Sequence, residues 1–231
     1  MKLIAIIPAR GESKRIPHKN IKPFLGTPIL LYSIEAAMQS GIFDEIMVST
    51  ENKEIAELAI KAGVSVPFMR SHQTADDFTP LAEVIREVLM KYQERGNLFD
   101  YFCCLLPTAP FITSERLIHA FEILIKKKYN AVITVQPFSY PIQRALKIKN
   151  EKLHMIHPEN YNKRSQDLST TYHDSGQFYW IKTDVFLKEK ILYSTNTGAI
   201  ILHETEAHDI DSEIDWQIAE IKYRLIHKMN K

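Results

Sequence analysis

The segment LIAIIPARGESKRIPHKN, Leu3 to Asn20, decides the fold. Its opening run, Leu3 to Ile7, is apolar without alternation, as in a strand buried on both faces of a parallel sheet. The run enters a turn carrying Pro8, Gly11 and the cations Arg10, Lys14, Arg15, Lys19 and, just beyond, Lys22, with Glu12 the acid among them. A strand-to-helix turn at the carboxyl edge of such a sheet is where α/β proteins take their ligands. Gly11 permits the backbone to approach a ligand and present N–H groups. Arg10 can grip phosphate through its planar fork, and Lys19 can serve as a point charge where a leaving group gathers negative charge. Clustered donors on a glycine-bearing turn suit a polyphosphate. A solvated basic loop is the plain alternative, and the place of the turn weighs against it. The turn matches neither GxxxxGKS/T nor GxGxxG, so neither an ATPase loop nor a dinucleotide site is indicated.

Outward from this turn, short apolar runs alternate with amphipathic ones, the rhythm of βα units around a largely parallel sheet. The pattern predicts strands over 2–7, 45–49, 101–106 and 131–135. Helices are expected over 28–39, 52–62 and 81–94, closed by Gly41, Gly63 and Gly96, with a fourth over 113–128. After Gln136 the rhythm breaks: 137–171 is polar and turn-rich, with one hairpin around 144–155, and is expected to be an insertion. Strands resume over 176–182 and 199–203, and a last helix covers 212–229. The expectation is one α/β domain over 1–231, three-layered and Rossmann-like, with 137–171 inserted in it.

Composition narrows the function classes. A net charge of +1 over 231 residues argues against a broad nucleic-acid surface. No apolar run approaches the ~18 residues of a membrane span, and LIAII is too short for a signal peptide. Cys103 and Cys104 are neighbours inside YFCCLLP, which suits buried thiols in a reducing compartment, so the protein is expected to be cytoplasmic.

Near the carboxyl end, HDIDSEIDW places Asp209 and Asp211 two apart in an extended segment, with their side chains on one side. Ser212 and Asp215 then form a capping box for the last helix. Two carboxylates ahead of a helix could hold magnesium, which shares its remaining positions with phosphate and water. Alone, the pair reads equally well as a solvated turn; beside a polyphosphate loop it becomes a metal site. HETEAH, 203–208, lacks the HExxH spacing of zinc hydrolases, and His154 and His157 fall in the turn-rich insertion.

Taken together, the turn at 7–20 resembles the N-terminal signature of the CMP-sugar synthetases, cytidylyltransferases that activate nine-carbon acidic sugars. Glu12 replaces a glycine common in that family and is expected to point away from the phosphates. PFMRSHQTADD, 67–77, resembles the segment that holds cytosine, with Arg70 in the matching place. LLPTAPF resembles the strand end that meets the sugar, RSQDL, 164–168, a sugar-carboxylate segment, and DIDSEIDW, 209–216, the metal-binding turn. The likeness covers nearly the whole chain. It implies a nucleotide-diphospho-sugar transferase fold, with CTP held by Ala9, Arg10, Gly11, Ser13, Lys19, Asn20, Arg70 and Thr79. The sugar is expected at Leu106, Thr108, Arg144, Arg164, Gln177 and Tyr179, and Mg2+ on Asp209 and Asp211. Sialic-acid enzymes usually carry a glutamine where this chain has Leu106, and YHDSGQFYW, 172–180, differs from their NGxxY-like segment. It resembles the corresponding stretch of pseudaminic acid enzymes instead, whose 6-deoxy, acylated substrate suits a more apolar pocket.

The expected reaction is in-line attack of the anomeric hydroxyl on the α-phosphorus of CTP, with Arg10, Lys19 and Asp211 as the catalytic set and pyrophosphate leaving. Sialic, legionaminic or keto-deoxy-octulosonic acid remain alternative substrates, and a non-catalytic nucleotide sensor remains an alternative class. The resemblance implies a homodimer joined through 137–171, whose sugar site borrows residues from the neighbour, and a product used in bacterial surface or flagellar glycosylation.

Overall fold

A computed structural model of the chain describes residues 1–76 and 78–229. Its elements are β1 (Leu3–Pro8), β2 (Pro23–Phe24), β3 (Thr27–Pro28), α1 (Ile29–Ser40), β4 (Glu45–Ser49), α2 (Lys53–Lys61), α3 (Leu81–Glu94), β5 (Tyr101–Leu105), α4 (Ser114–Lys126), β6 (Ala131–Pro137), β7 (Leu146–Lys149), β8 (Lys152–Met155), β9 (Tyr172–Lys182), α5 (Thr183–Glu189), β10 (Thr197–Ile201) and α6 (Glu213–Met229). Six strands make one sheet in the order β10-β6-β9-β5-β1-β4. The sheet is parallel except for β9, which runs antiparallel to β5 and β6.

The unbroken apolar run of β1 is explained by burial on both faces. Ala5 and Ile7 pack with Leu30 and Ile34 of α1, Ile55 of α2 and Leu117 and Leu124 of α4. Ile4 and Ile6 pack on the opposite face with Ile85, Val88 and Leu89 of α3 and Phe186 of α5. Alternation along the strand thus feeds two cores and makes three layers. Each such side chain contributes about 1.5–3 kcal/mol by leaving water. Gly41 closes α1 in the left-handed conformation at φ 63°, which a side chain would resist.

A third apolar cluster positions the site. Ile16 from the basic turn, Phe24, Ile29 and Phe111 pack with Ile210 and with Trp216 and Ala219 of α6. Phe24 meets the rings of Tyr32, Trp216 and Tyr223 edge-on at centroid distances of 5.5, 5.7 and 5.6 Å. Lys22 adds an ion pair to Glu213 at 2.5 Å and lies over the Trp216 ring. Its expected place among the phosphate-facing cations is therefore corrected: it ties the turn to α6. The amino-terminal turn and carboxyl-terminal helix are held side by side at the carboxyl edge of β1.

Some elements differ from expectation. Helix α5 was not foreseen, because its seven residues bury only Thr183 and Phe186 and show no period. Strand β9 begins earlier, at Tyr172, where YHDS has no apolar alternation. Within 137–171, β7 and β8 form a separate antiparallel ribbon, and its side chains Ile148 and Leu153 are 75% and 67% exposed. Among the described residues no helix is long and apolar enough to cross a membrane. Cys103 and Cys104 are free and fully buried, and burial pushes both thiols up.

Candidate active site

At the carboxyl edge of β1, β4 and β5 lies an open cleft of about 630 Å³. Its wall takes Arg10, Ser13, Lys14, Arg15, Lys19 and Asn20 from the basic turn, Arg70, Asp76 and Thr79 from the segment before α3, Leu106 and Thr108 after β5, and Asp211. The two ends of the chain therefore meet in one cavity.

The basic turn is braced from below. Asn20 is buried and donates from Nδ2 to the Arg10 carbonyl at 2.8 Å, while Ala9, fully buried behind the wall, donates its N–H to the Ser49 carbonyl at 2.9 Å. Gly11 donates its N–H to Glu51 Oε1 at 2.6 Å. A Cβ there would come within 2.6 Å of the Asn52 side chain, which caps α2 by accepting from the Ile55 N–H. Gly11 is thus not placed to offer its N–H to a ligand; close packing on the start of α2 requires glycine. Glu12 is exposed and lies outside the cleft wall, in line with its expected outward direction.

Arg70 is buried. Its Nε donates to Ser49 Oγ at 3.1 Å and Nη2 to the Ser49 carbonyl, and Nη1 lies 3.9 Å from Glu51 Oε2. Burial pushes this guanidinium down from its ordinary value, and Glu51 and Glu87 oppose the shift. The turn after Arg70 is held by Glu87, which accepts from the Ser71 N–H and hydroxyl, both at 2.9 Å, from Thr74 and from Lys91. Burial alone would raise the Glu87 carboxyl, but these donors outweigh it and bring it down to about 2. Asp76 accepts from the N–H groups of Phe78 and Thr79 and from the Thr79 hydroxyl, and Arg10 Nη1 donates to the Asp76 carbonyl at 3.4 Å. The end of the expected cytosine segment, Asp77, lies outside the described residues.

Beside Thr108 the wall turns apolar through Leu81, Val84, Leu106 and Pro107. Leu106 is fixed at both backbone groups: its N–H donates to the Gln177 carbonyl at 2.9 Å, and its carbonyl accepts from Ser33 Oγ at 2.8 Å.

Across the cleft, Asp211 Oδ2 lies 2.6 Å from Arg15 Nη1. Ser212 and Asp215 exchange the expected reciprocal bonds, N–H to Oδ2 at 2.7 Å and N–H to Oγ at 3.3 Å. Burial pushes the Lys19 ammonium down, and Asp211 and Asp209 pull it back up. Asp209 is exposed by area, yet the chain crowding it and then the charge of Asp211 push its carboxyl up. Asp211 lines the cleft and Asp209 lies outside its wall, close enough for the two carboxylates to repel each other, and such a pair suits a hard divalent cation. Among the described residues no cluster of three or more His, Cys, Asp or Glu side chains forms a metal cage.

Four expected sugar contacts lie elsewhere. Gln177 is buried behind the wall, with Nε2 donating to the Glu206 carbonyl at 3.4 Å. Tyr179 is buried on the α3 face and donates its hydroxyl to Asp174 Oδ2 at 2.6 Å. Both are interior because β9 is a central strand covered on its two faces. Arg164 spends its fork on Asp167 at 2.8 and 3.0 Å, and Arg144 donates to Ser165 Oγ at 3.4 Å. Both arginines belong to the insertion, away from this chain's cleft wall. Sequence reading passed over Glu51 as a brace and Arg15 as the partner of Asp211. The first carries no motif, and the second was legible only as one cation of a run.

A family profile described as cytidylyltransferase matches residues 4–229. Pseudaminic acid cytidylyltransferase of Campylobacter jejuni is 38% identical over 229 residues, covering 99% of each chain. CMP-N,N'-diacetyllegionaminic acid synthase of Legionella pneumophila is 34% identical over 227 residues, covering 95% of each. The solved structure of CMP:2-keto-3-deoxy-manno-octonic acid synthetase complexed with CTP matches the fold with a TM-score of 0.70 at 14% identity, over 99% of this chain and 100% of that one.

Proposed function

The chain belongs to the cytidylyltransferase family, and on that premise we propose that it transfers CMP from CTP to the anomeric hydroxyl of pseudaminic acid, releasing pyrophosphate. The observation that carries this reading is the meeting of the basic turn and the Asp209–Asp211 segment across one cleft, with Arg15 and Asp211 2.6 Å apart. A triphosphate laid along the turn would have Arg10, Lys14 and Lys19 on one side and the aspartates on the other. The sugar hydroxyl forms a bond to the α-phosphorus while the bond to the β-phosphate oxygen breaks, and the hydroxyl proton passes to solvent. Arg10 and Lys19 stabilise charge on the departing pyrophosphate, and burial of Lys19 strengthens that interaction. Asp209 and Asp211 would hold Mg2+, which when bound neutralises phosphate charge next to the attacked phosphorus. Arg70 and Thr79 border the end of the cleft assigned to cytosine, and Leu106 and Thr108 the end assigned to the sugar.

The sugar assignment is supported by the apolar surface of Leu106 and Pro107 beside Thr108, which suits a 6-deoxy, acylated substrate. It is also the activity named for the Campylobacter relative. We assign the exposed ribbon β7–β8 to a homodimer contact, which would carry Arg144 and Arg164 toward the neighbouring cleft. Buried free thiols suit a cytoplasmic enzyme, whose product is a donor for a glycosyltransferase. Coupled detection of pyrophosphate with CTP and pseudaminic, legionaminic or sialic acid tests the reading. Turnover is expected with pseudaminic acid; higher kcat/KM with another acid reassigns the substrate, and CTP binding without turnover on any would make the chain a nucleotide sensor.

A further inference from the structure

Arg15 lies between the two halves of the proposed machinery, and the sequence motif assigns it no role. Its Nη1 is 2.6 Å from Asp211 Oδ2, and the side chains are 67% and 44% exposed. The local cluster balances its charge: Arg15 and Lys19 face Asp209 and Asp211, with Arg10 acting on Lys19 and Asp215 on Asp209, so that three cations stand against three carboxylates. A dication alone would leave this cluster with excess positive charge and would have to displace the guanidinium from Asp211. A triphosphate alone would add negative charge beside the two carboxylates. Entering together, the two ligands cancel most of each other's cost, and the guanidinium can move from a carboxylate to a phosphate, which its fork fits equally well.

We propose that Arg15 is an exchangeable counter-ion: it neutralises Asp211 before loading, competes with the divalent cation for that carboxylate, and is handed to the triphosphate when cation and nucleotide bind. Metal binding is thereby made dependent on the nucleotide, a coupling that works equally in both directions. The inference rests on the reading of Asp209 and Asp211 as metal ligands.

The test is a titration of Mn2+ followed by the electron paramagnetic resonance of the free ion, with and without CTP, each against a protein-free blank that accounts for the Mn2+ chelated by CTP itself, and with no sugar present. Parent, Arg15→Gln and Lys14→Gln chains are compared at low salt, with circular dichroism as the check on folding. Lys14 shares the cleft wall, but its ammonium sits 5.7 Å from the Phe78 ring at the opposite rim. Without CTP, Arg15→Gln is expected to bind Mn2+ about fivefold more tightly than the parent, by removal of a positive charge at ion-pair distance. Lys14→Gln should change it by less than about twofold, and CTP should tighten Mn2+ binding less in Arg15→Gln than in the parent. Equal tightening in both variants would reduce Arg15 to part of the general field and overturn the proposal, as would no change in Arg15→Gln. If the parent binds Mn2+ with CTP and Arg15→Gln behaves identically, only the counter-ion role falls. If no chain binds Mn2+ even with CTP, the metal reading falls and takes the counter-ion with it.

Discussion

Glu51 should govern nucleotide affinity although it touches none of the cleft's contents. Its carboxylate accepts the Gly11 N–H at 2.6 Å and lies 3.9 Å from Arg70 Nη1, so one side chain, 17% exposed, braces the basic turn and the cytosine segment together. In Glu51→Ala the Gly11 bond, a charge-assisted one, is lost at a cost of about 1.5–3 kcal/mol. The contact to Arg70 is longer, but its loss leaves a buried guanidinium short of a counter-charge and adds about 1 kcal/mol or more. If about half of a 3 kcal/mol total reappears as displacement of the turn and Arg70, KM for CTP rises about tenfold. The maximal rate should fall less, because saturating CTP restores the geometry. Glu51→Gln keeps an acceptor for Gly11 but loses the charge facing Arg70, and should fall between alanine and the parent. The assay is pyrophosphate release at varied CTP with saturating sugar, beside a thermal melt. A KM for CTP within twofold of the parent in Glu51→Ala, with the melt unchanged, would refute the brace.

Asp211→Ala should lower pyrophosphate release by at least about a hundredfold without a change in the melt, since its side chain is partly exposed; retained turnover at saturating Mg2+ would reject the metal assignment. Glu87 contributes stability that is present above its ordinary value of 4.5 and lost as pH falls toward its folded value of about 2. After allowance for solvent screening this amounts to roughly 1–2 kcal/mol, so the parent should lose stability between pH 4.5 and 2 more steeply than Glu87→Gln; parallel profiles would contradict it. If the proposed β7–β8 contact forms, the parent should scatter light as a dimer and Ile148→Asp with Leu153→Asp as a monomer; a monomeric parent would reject the dimer, and an unchanged dimer would place the contact elsewhere.

Much of this arrangement is legible because the encoding is local. The run LIAII implies two-faced burial, since no polar residue interrupts it to mark a solvent face, and Gly41 marks the end of α1 because few residues adopt its φ of 63°. Helix α5 escaped notice because a seven-residue element shows too little periodicity. The antiparallel course of β9 escaped because side-chain alternation is the same in either direction, and direction is set by the path of the chain.

The α/β rhythm, the basic turn after β1 and the paired acids before α6 are each patterns among near neighbours and can be read along the chain. Which of these residues share a cleft follows from the packing. It sets Arg15 against Asp211, turns Gly11 toward Glu51, spends Lys22 on Glu213, and buries Gln177 and Tyr179. The reason is that a side chain's type states what it can bind, whereas its partner depends on the packing of the Phe24–Trp216 cluster, which draws the two ends of the chain together.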